Sequence, residues 1–157
     1  MQKITPFLWF NDNAEEAVNF YTSIFKDSKI NFVSRYGEAG PGPAGSVMTL
    51  AFEIERQLCT AINGGPHFTF SPAISFVVHC AAQEEVDYYW EKLSAGGEEI
   101  QCAWLRDKYG VSWQIVPDVL IELLQDKDPA KSKRVMEAML KMIKIDIKVL
   151  REAYEQP

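Results

Sequence analysis

The chain has 157 residues and a formal charge of −6, with 47% hydrophobic and 24% charged residues, the composition of an ordinary globular domain rather than a disordered or fibrous chain. No apolar run approaches the ~20 residues that cross a bilayer as a helix, and MQKITPFLWF enters a strand-like run with a single lysine, unlike a secretory leader. Eight basic and five acidic residues lie from Lys127 to the end, so the remainder, with eight basic and seventeen acidic, carries −9 and should repel nucleic-acid phosphates.

In chain order, Ile4 to Phe10 reads as a strand. Asn11-Asp12-Asn13 is a turn whose last residue is placed to cap a helix, with Glu15 and Glu16 in the first turn, where the helix dipole favours acids. Ala17, Phe20, Tyr21 and Ile24 recur at helical spacing and predict an amphipathic helix over Ala14 to Phe25. Strands are expected over Lys29 to Tyr36, Ser46 to Ile54 and Gln57 to Asn63, the last two forming a hairpin across Glu55-Arg56. Between them, Gly40, Gly42 and Gly45 spell G-x-G-x-x-G. A phosphate loop of that pattern needs a strand before it and a helix N-terminus after it. Pro41 and Pro43 each lack an N–H and a strand follows, so a hairpin connection is the better reading.

The pattern then restarts. Ile74 to Cys80 reads as a strand, Ala82 to Leu93 as a helix broken by Gly96-Gly97, and Glu98 to Leu105 and Val111 to Val116 as strands. Glu15-Glu16 with Phe20-Tyr21 recurs as Glu84-Glu85 with Tyr89-Trp90, a shift of 69 residues that also carries strand 4–10 onto 73–79. Two tandem βαβββ modules, each too small to bury its sheet alone, give an α+β domain over 1–117, with modules of about 1–66 and 67–117. In the stretch WLRDKYGVSWQIVP, Gly110 is where a positive φ costs least. Ser112, Gln114 and Val116 share one strand face, with Val111, Trp113 and Ile115 on the other.

Residues 118–157 form a helical extension. Asp118 to Gln125 is a short helix, and Asp128 followed by Pro129 is a favoured helix start. Met136, Leu140, Ile143, Ile147, Leu150 and Tyr154 predict one continuous apolar stripe, suited to packing on the chain's own sheet or on a second subunit.

Cys59, Cys80 and Cys102 are odd in number, isolated and each in a strand-like run, which suits a reducing cytoplasm and no disulfide framework. His67 and His79 show no paired metal-ligand spacing, and neither Cys102, Ser75 nor Ser112 has the neighbours of an activated nucleophile.

The segments LWFNDNAEEAVNFYTSIF, NGGPHFTF, AISFVVHC, QEEVDYYWEKL and QCAWLRDKYGVSWQIVP resemble the PhnB-like branch of the vicinal oxygen chelate superfamily, the glyoxalase/bleomycin-resistance/dioxygenase group. Such sequences also carry the label 3-demethylubiquinone-9 3-methyltransferase domain. The resemblance implies paired βαβββ modules, a homodimer and a small-molecule site on concave sheet faces. In metal-dependent members His and Glu hold a divalent ion there. The corresponding positions in this chain fall near Pro6, at Ala73 or Ser75, at Gln114 and within Cys59 to Asn63, which offer no His or acid. The expectation is therefore a cytoplasmic protein with no metal, cofactor, nucleic acid or membrane. It would bind a small organic ligand through Gln114, with Asn63, Ser75 and His79 as polar partners and Phe10 and Trp104 as apolar walls. The alternatives are a metal-recruiting lyase or dioxygenase, a methyltransferase as the label suggests, and an oligomerising module acting through the C-terminal helix. Methyl transfer lacks support from the pattern, which shows no doubly wound sheet to hold a donor.

Overall fold

The computed structural model describes residues 2–157. They form two compact units, one ending at Phe70 and the other spanning Ser71–Pro157. Each is built on a four-stranded mixed sheet.

In the first unit β1 (Phe7–Phe10) leads into α1 (Ala14–Ile24), then β2 (Lys29–Arg35), β3 (Val47–Ile54) and β4 (Gln57–Asn63). The sheet order is β1-β4-β3-β2, with β1 parallel to β4 and the other pairs antiparallel. Ala17, Val18, Tyr21 and Ile24 of α1 are buried, as are Leu50, Phe52, Cys59 and Ala61 of the sheet, so alternation along β3 and β4 puts one face under the helix. Asn13 was the expected cap of α1, but its side chain makes no capping bond. The orphan amide of Ala14 is satisfied instead by Asn63 Oδ1 at 2.8 Å, across 49 residues of sequence, a cap supplied by the end of β4 rather than by the preceding turn.

The β3–β4 hairpin turns on Glu55 and Arg56, as read, and both have positive φ (46° and 65°) although neither is glycine. That is the geometry of a primed two-residue turn, which costs non-glycine residues about 1–2 kcal/mol each. Glu55 Oε1 accepts from the Lys26 amide (3.1 Å), and the Arg56 amide donates to Asp27 O (3.2 Å), which offsets part of it. The glycine-rich loop folds back on Tyr36: Gly42 lies flat against its ring, where a Cβ would overlap it, and the Gly45 amide donates to Tyr36 O at 2.8 Å. Strand β3 follows directly, so the loop is a hairpin connection.

The second unit repeats the plan with β5 (Phe76–Cys80), α2 (Gln83–Ser94), β6 (Glu98–Glu99), β7 (Trp104–Arg106) and β8 (Ser112–Pro117), in the order β5-β8-β7-β6 with β5 parallel to β8. The single strand expected over Glu98 to Leu105 is thus a hairpin of two short strands. Its turn contains Cys102 and Ala103, both at positive φ (58° and 76°), so Cys102 sits in a turn and not in a strand. The 69-residue shift holds for the helices: Ala17, Tyr21 and Ile24 correspond to Val86, Trp90 and Leu93, all buried. It slips by one in the strands, because two residues separate β5 from α2 where three separate β1 from α1.

The hairpin from Arg106 to Ser112 is closed by Asp107. Its N–H donates to Val111 O (2.9 Å), its carbonyl accepts from Gly110 (3.0 Å), and Gly110 takes a φ of 92°, as expected. The Asp107 carboxylate, 3% exposed, accepts from the amides of Tyr109 (2.8 Å) and Val111 (3.0 Å) and from the Trp113 indole (2.8 Å). A buried carboxylate is tolerable only when saturated in this way.

Three helices complete the second unit: α3 (Asp118–Leu124), α4 (Pro129–Leu140) and α5 (Ile147–Glu155). Asp128 caps α4, its carboxylate accepting from Ala130 N at 3.0 Å. The continuous stripe is not formed. The helix stops at Leu140 and residues 141–146 run as a non-helical strap. The Asp146 side chain then starts α5 by accepting from Val149 N at 3.2 Å. Met136, Leu140 and Ile143 are 40%, 56% and 49% exposed, whereas Val135, Ile145 and Leu150 are fully buried with Ala103, Val116 and Leu120. No helix is long and apolar enough to cross a membrane, among the described residues.

Two substitutions test these assignments. Arg56→Gly relieves one left-handed residue and loses only an exposed ion pair with Asp27, so urea unfolding should show a gain of about 1 kcal/mol. Asp107→Ala leaves three N–H donors without their acceptor and should cost about 3 kcal/mol or more, read as a fall in the thermal midpoint.

Candidate functional site

Strand β8 carries the side chains that decide the chemistry of the second sheet. Trp113 and Ile115, with Leu105 of β7, are buried on the side that receives Val86, Trp90 and Leu93 of α2. The Trp90 indole donates to Glu99 Oε1 at 2.7 Å on this same side. The alternate residues of β8 face away from α2. In register across three strands, Trp104 of β7, Gln114 of β8 and Val77 of β5 form one row. Arg106 and Ser112 form the row on one side of it, and Val116 and His79 the row on the other.

Gln114 is half-buried, and its Nε2 donates to Ser75 Oγ at 2.9 Å. Its Oε1 accepts no hydrogen bond among the described residues. Trp104 flanks it on one side and Val77, 43% exposed, on the other, giving an amide between two apolar walls. Two residues along β8, Ser112 is 2% exposed and its Oγ has no partner. An unpaired buried hydroxyl costs about 1–3 kcal/mol, and the Oγ of Ser28 in the first unit is unpaired in the same way. Arg106 is neutralised across the hairpin by Glu98. His79 is exposed, with Nδ1 at 3.9 Å from an Asp118 carboxylate oxygen.

The expected residues therefore divide. Gln114, Ser75, Trp104 and His79 share one face of the second sheet, with Gln114 and Ser75 in contact. Phe10 and Asn63 belong to the first unit, where they pair in register on the α1 side. Phe10 is buried edge-on against the Phe70 ring at 5.0 Å. Both ends of the Asn63 amide are engaged, Oδ1 by Ala14 N and Nδ2 with Val47 O at 3.1 Å. The one-residue slip of the repeat is why Phe10, aligned with His79 by the 69-residue shift, points to the opposite kind of face. Val77 and the orphan hydroxyl of Ser112 were not among the expected binding residues. Alternation along β8 places Ser112 beside Gln114, but only the tertiary structure shows that its hydroxyl is buried and unpaired.

The donor set does not fit a divalent cation. The last-strand position holds an amide bound to a hydroxyl, and no group of three or more His, Cys, Asp or Glu that would hold an ion occurs among the described residues.

A sequence profile of the 3-demethylubiquinone-9 3-methyltransferase family matches residues 2–116. The chain belongs to that family. This is the PhnB-like branch of the vicinal oxygen chelate superfamily, and the two βαβββ units are its glyoxalase/bleomycin-resistance-like fold. The Bacillus cereus PhnB protein, described as a 3-demethylubiquinone-9 3-methyltransferase, is 43% identical, with 74% of this chain covering 99% of it at a TM-score of 0.68. A Pseudomonas aeruginosa protein is 20% identical, with coverages of 74% and 98% and a TM-score of 0.61. A Listeria monocytogenes fosfomycin resistance protein, crystallised with Mn(II) and sulfate, is 16% identical, with coverages of 74% and 91% and a TM-score of 0.51. These last two show the fold. A comparison with curated proteins finds no match.

Two thiols are held away from reaction. Burial pushes Cys59 from 9.0 up to about 11. Cys80 is pushed to about 12, chiefly by burial and then by the Glu85 and Asp118 carboxylates. The folded chain keeps protons that the unfolded chain gives up from about pH 9, so stability should fall as pH rises from 9 toward 11, read by urea unfolding across that window. At about pH 8 a thiol-specific reagent should label both at least tenfold more slowly in the native than in the unfolded protein.

Proposed function

We propose that this protein binds a small organic molecule on the face carrying Trp104, Gln114 and Val77, with Gln114 and Ser75 as its hydrogen-bonding partners. The observation that carries the reading is the Gln114 amide, fixed on one edge by Ser75 and unpaired at Oε1, between two apolar side chains. Ligand sites combine an apolar lining with a few convergent polar groups in this way. His79 and its partner Asp118 stand at the edge of the same face.

The family label names a methyl transfer and the Listeria relative is a resistance protein holding Mn(II). Neither chemistry is supported by the side chains of this face: His79 and Asp118 are a single pair at its edge, and no cluster of three or more metal-holding groups and no donor-binding loop accompanies them among the described residues. Binding without a resident metal is the reading they favour. Two buried, protonated thiols suit a reducing cytoplasm. The exposed Phe7 and Phe32 of the first sheet suit burial in a homodimer.

Native mass spectrometry of freshly purified protein tests the proposal. A small molecule should be retained by the wild type and lost, or weakened at least tenfold, in Gln114→Leu. A stoichiometric transition metal with no organic adduct, or an adduct indifferent to Gln114→Leu and Trp104→Ala, would sink it.

A further inference from the structure

The turn that delivers Trp104 to the ligand face is held only in part by its own bonds. Cys102 and Ala103 are consecutive non-glycine residues in the left-handed region. Within the hairpin, Trp104 N donates to Gln101 O at 3.2 Å and Ile100 N to Trp104 O at 2.9 Å, and from β8 Ile115 N donates to Ala103 O at 2.8 Å. The amides of Cys102 and Ala103 donate instead to the strap of the C-terminal extension, to Met142 O at 2.9 Å and Ile143 O at 3.0 Å. Buried backbone amides need such acceptors, and here the extension supplies both.

The strap is in turn fixed to the start of α2. The Gln83 side chain grips its backbone twice, Nε2 donating to Ile145 O at 3.0 Å and Oε1 accepting from Ile147 N at 2.8 Å. Lys144 pairs with Asp87 at 2.8 Å one helical turn further on. Ile145 is fully buried among Ala103, Val116, Leu120, Val135 and Leu150. Residues 141–146 of the strap lie beyond 2–116, the part of the chain the family profile matches.

We propose that residues 141–146 are a positioning element of the ligand face, setting the place of Trp104 through the Cys102–Ala103 turn, with Gln83 as the residue that clamps the strap. The inference rests on the reading of the Trp104–Gln114 face as a ligand surface, and adds that the extension shapes one wall of it. Gln83 touches no ligand; besides holding Ile145 O and Ile147 N on either side of Asp146, its Nε2 donates to Asp87 Oδ1 at 3.0 Å, the carboxylate that pairs with Lys144 of the strap.

The test uses full-length protein labelled with 5-fluorotryptophan, its Trp104 signal assigned by Trp104→Phe, together with amide hydrogen exchange. Gln83→Leu removes both grips. The amides of Cys102 and Ala103 should exchange at least tenfold faster and the Trp104 fluorine signal should shift or broaden, while the Trp113 and Trp9 signals stay in place. Gln83→Glu keeps the acceptor for Ile147 N and should give an intermediate response in the same two observables, and it serves alone if Gln83→Leu fails to fold. Unchanged protection at Cys102 and Ala103, or their release with Trp104 unmoved, would overturn the proposal. So would Trp104 and Trp113 shifting together, which would make the extension a general stabiliser of the unit. Whether an organic adduct exists at all is read separately by mass spectrometry, so failure of the ligand reading leaves a different signature.

Discussion

The buried carboxylate of Asp107 fixes which way strand β8 faces. By accepting from two amides of its own hairpin and from the Trp113 indole, it pins the register of the turn and the side of Trp113 in one group. Side chains alternate along a strand, so Trp113 held toward α2 forces Gln114 to the other side. A one-residue slip would bury the amide under the helix and expose the indole. The candidate site exists only with that parity.

Gln83, Asn63 and Gln114 show how differently one functional group is used. Asn63 closes a helix end and a neighbouring strand, so its amide is spent on the fold of the first unit. Gln83 holds two backbone groups of the strap. Gln114 meets a single hydroxyl, and its oxygen is left over. The amide is only half-buried, so that oxygen stays open to solvent or to a ligand. Beside it, the hydroxyl of Ser112 is left unpaired as well. The unpaired Gln114 oxygen lies between Trp104 and Val77, and the unpaired Ser112 hydroxyl lies one row away, beside Arg106.

The C-terminal extension follows a different economy. It contributes Val135, Ile145 and Leu150 to one cluster with Val116 and Ala103, so it closes the apolar end of the same sheet face that is polar at Gln114 and Ser75. Its strap lends acceptors to a turn built from two left-handed residues, which gives a reason why Cys102 and Ala103, rather than glycines, are tolerated there.

The paired βαβββ plan, the faces of α1 and α2, the parity of β8, the turn at Gly110 and the cap at Asp128 were legible in the sequence. Each rests on local chemistry: the periods of helix and strand, the freedom of glycine, the reach of a capping side chain. What only the tertiary structure decided are matters of distant contact. Asn63 caps a helix 49 residues away in sequence, and no local pattern encodes that. The apolar stripe of the extension looked continuous at helical spacing, yet the docking of Ile145 and the cap at Asp146 broke it, because burial against Ala103 and Val116 outweighs helix propensity. Phe10 lies in the core of the first unit, and its counterpart in the second is the buried Cys80 rather than His79, because β5 and α2 are one residue closer than β1 and α1. The identity of the candidate site residues was a property of the chain, but their division between two units, and the unpaired state of Gln114 and Ser112, belong to the packing, since a hydrogen bond left unmade is visible only when every neighbour is in place.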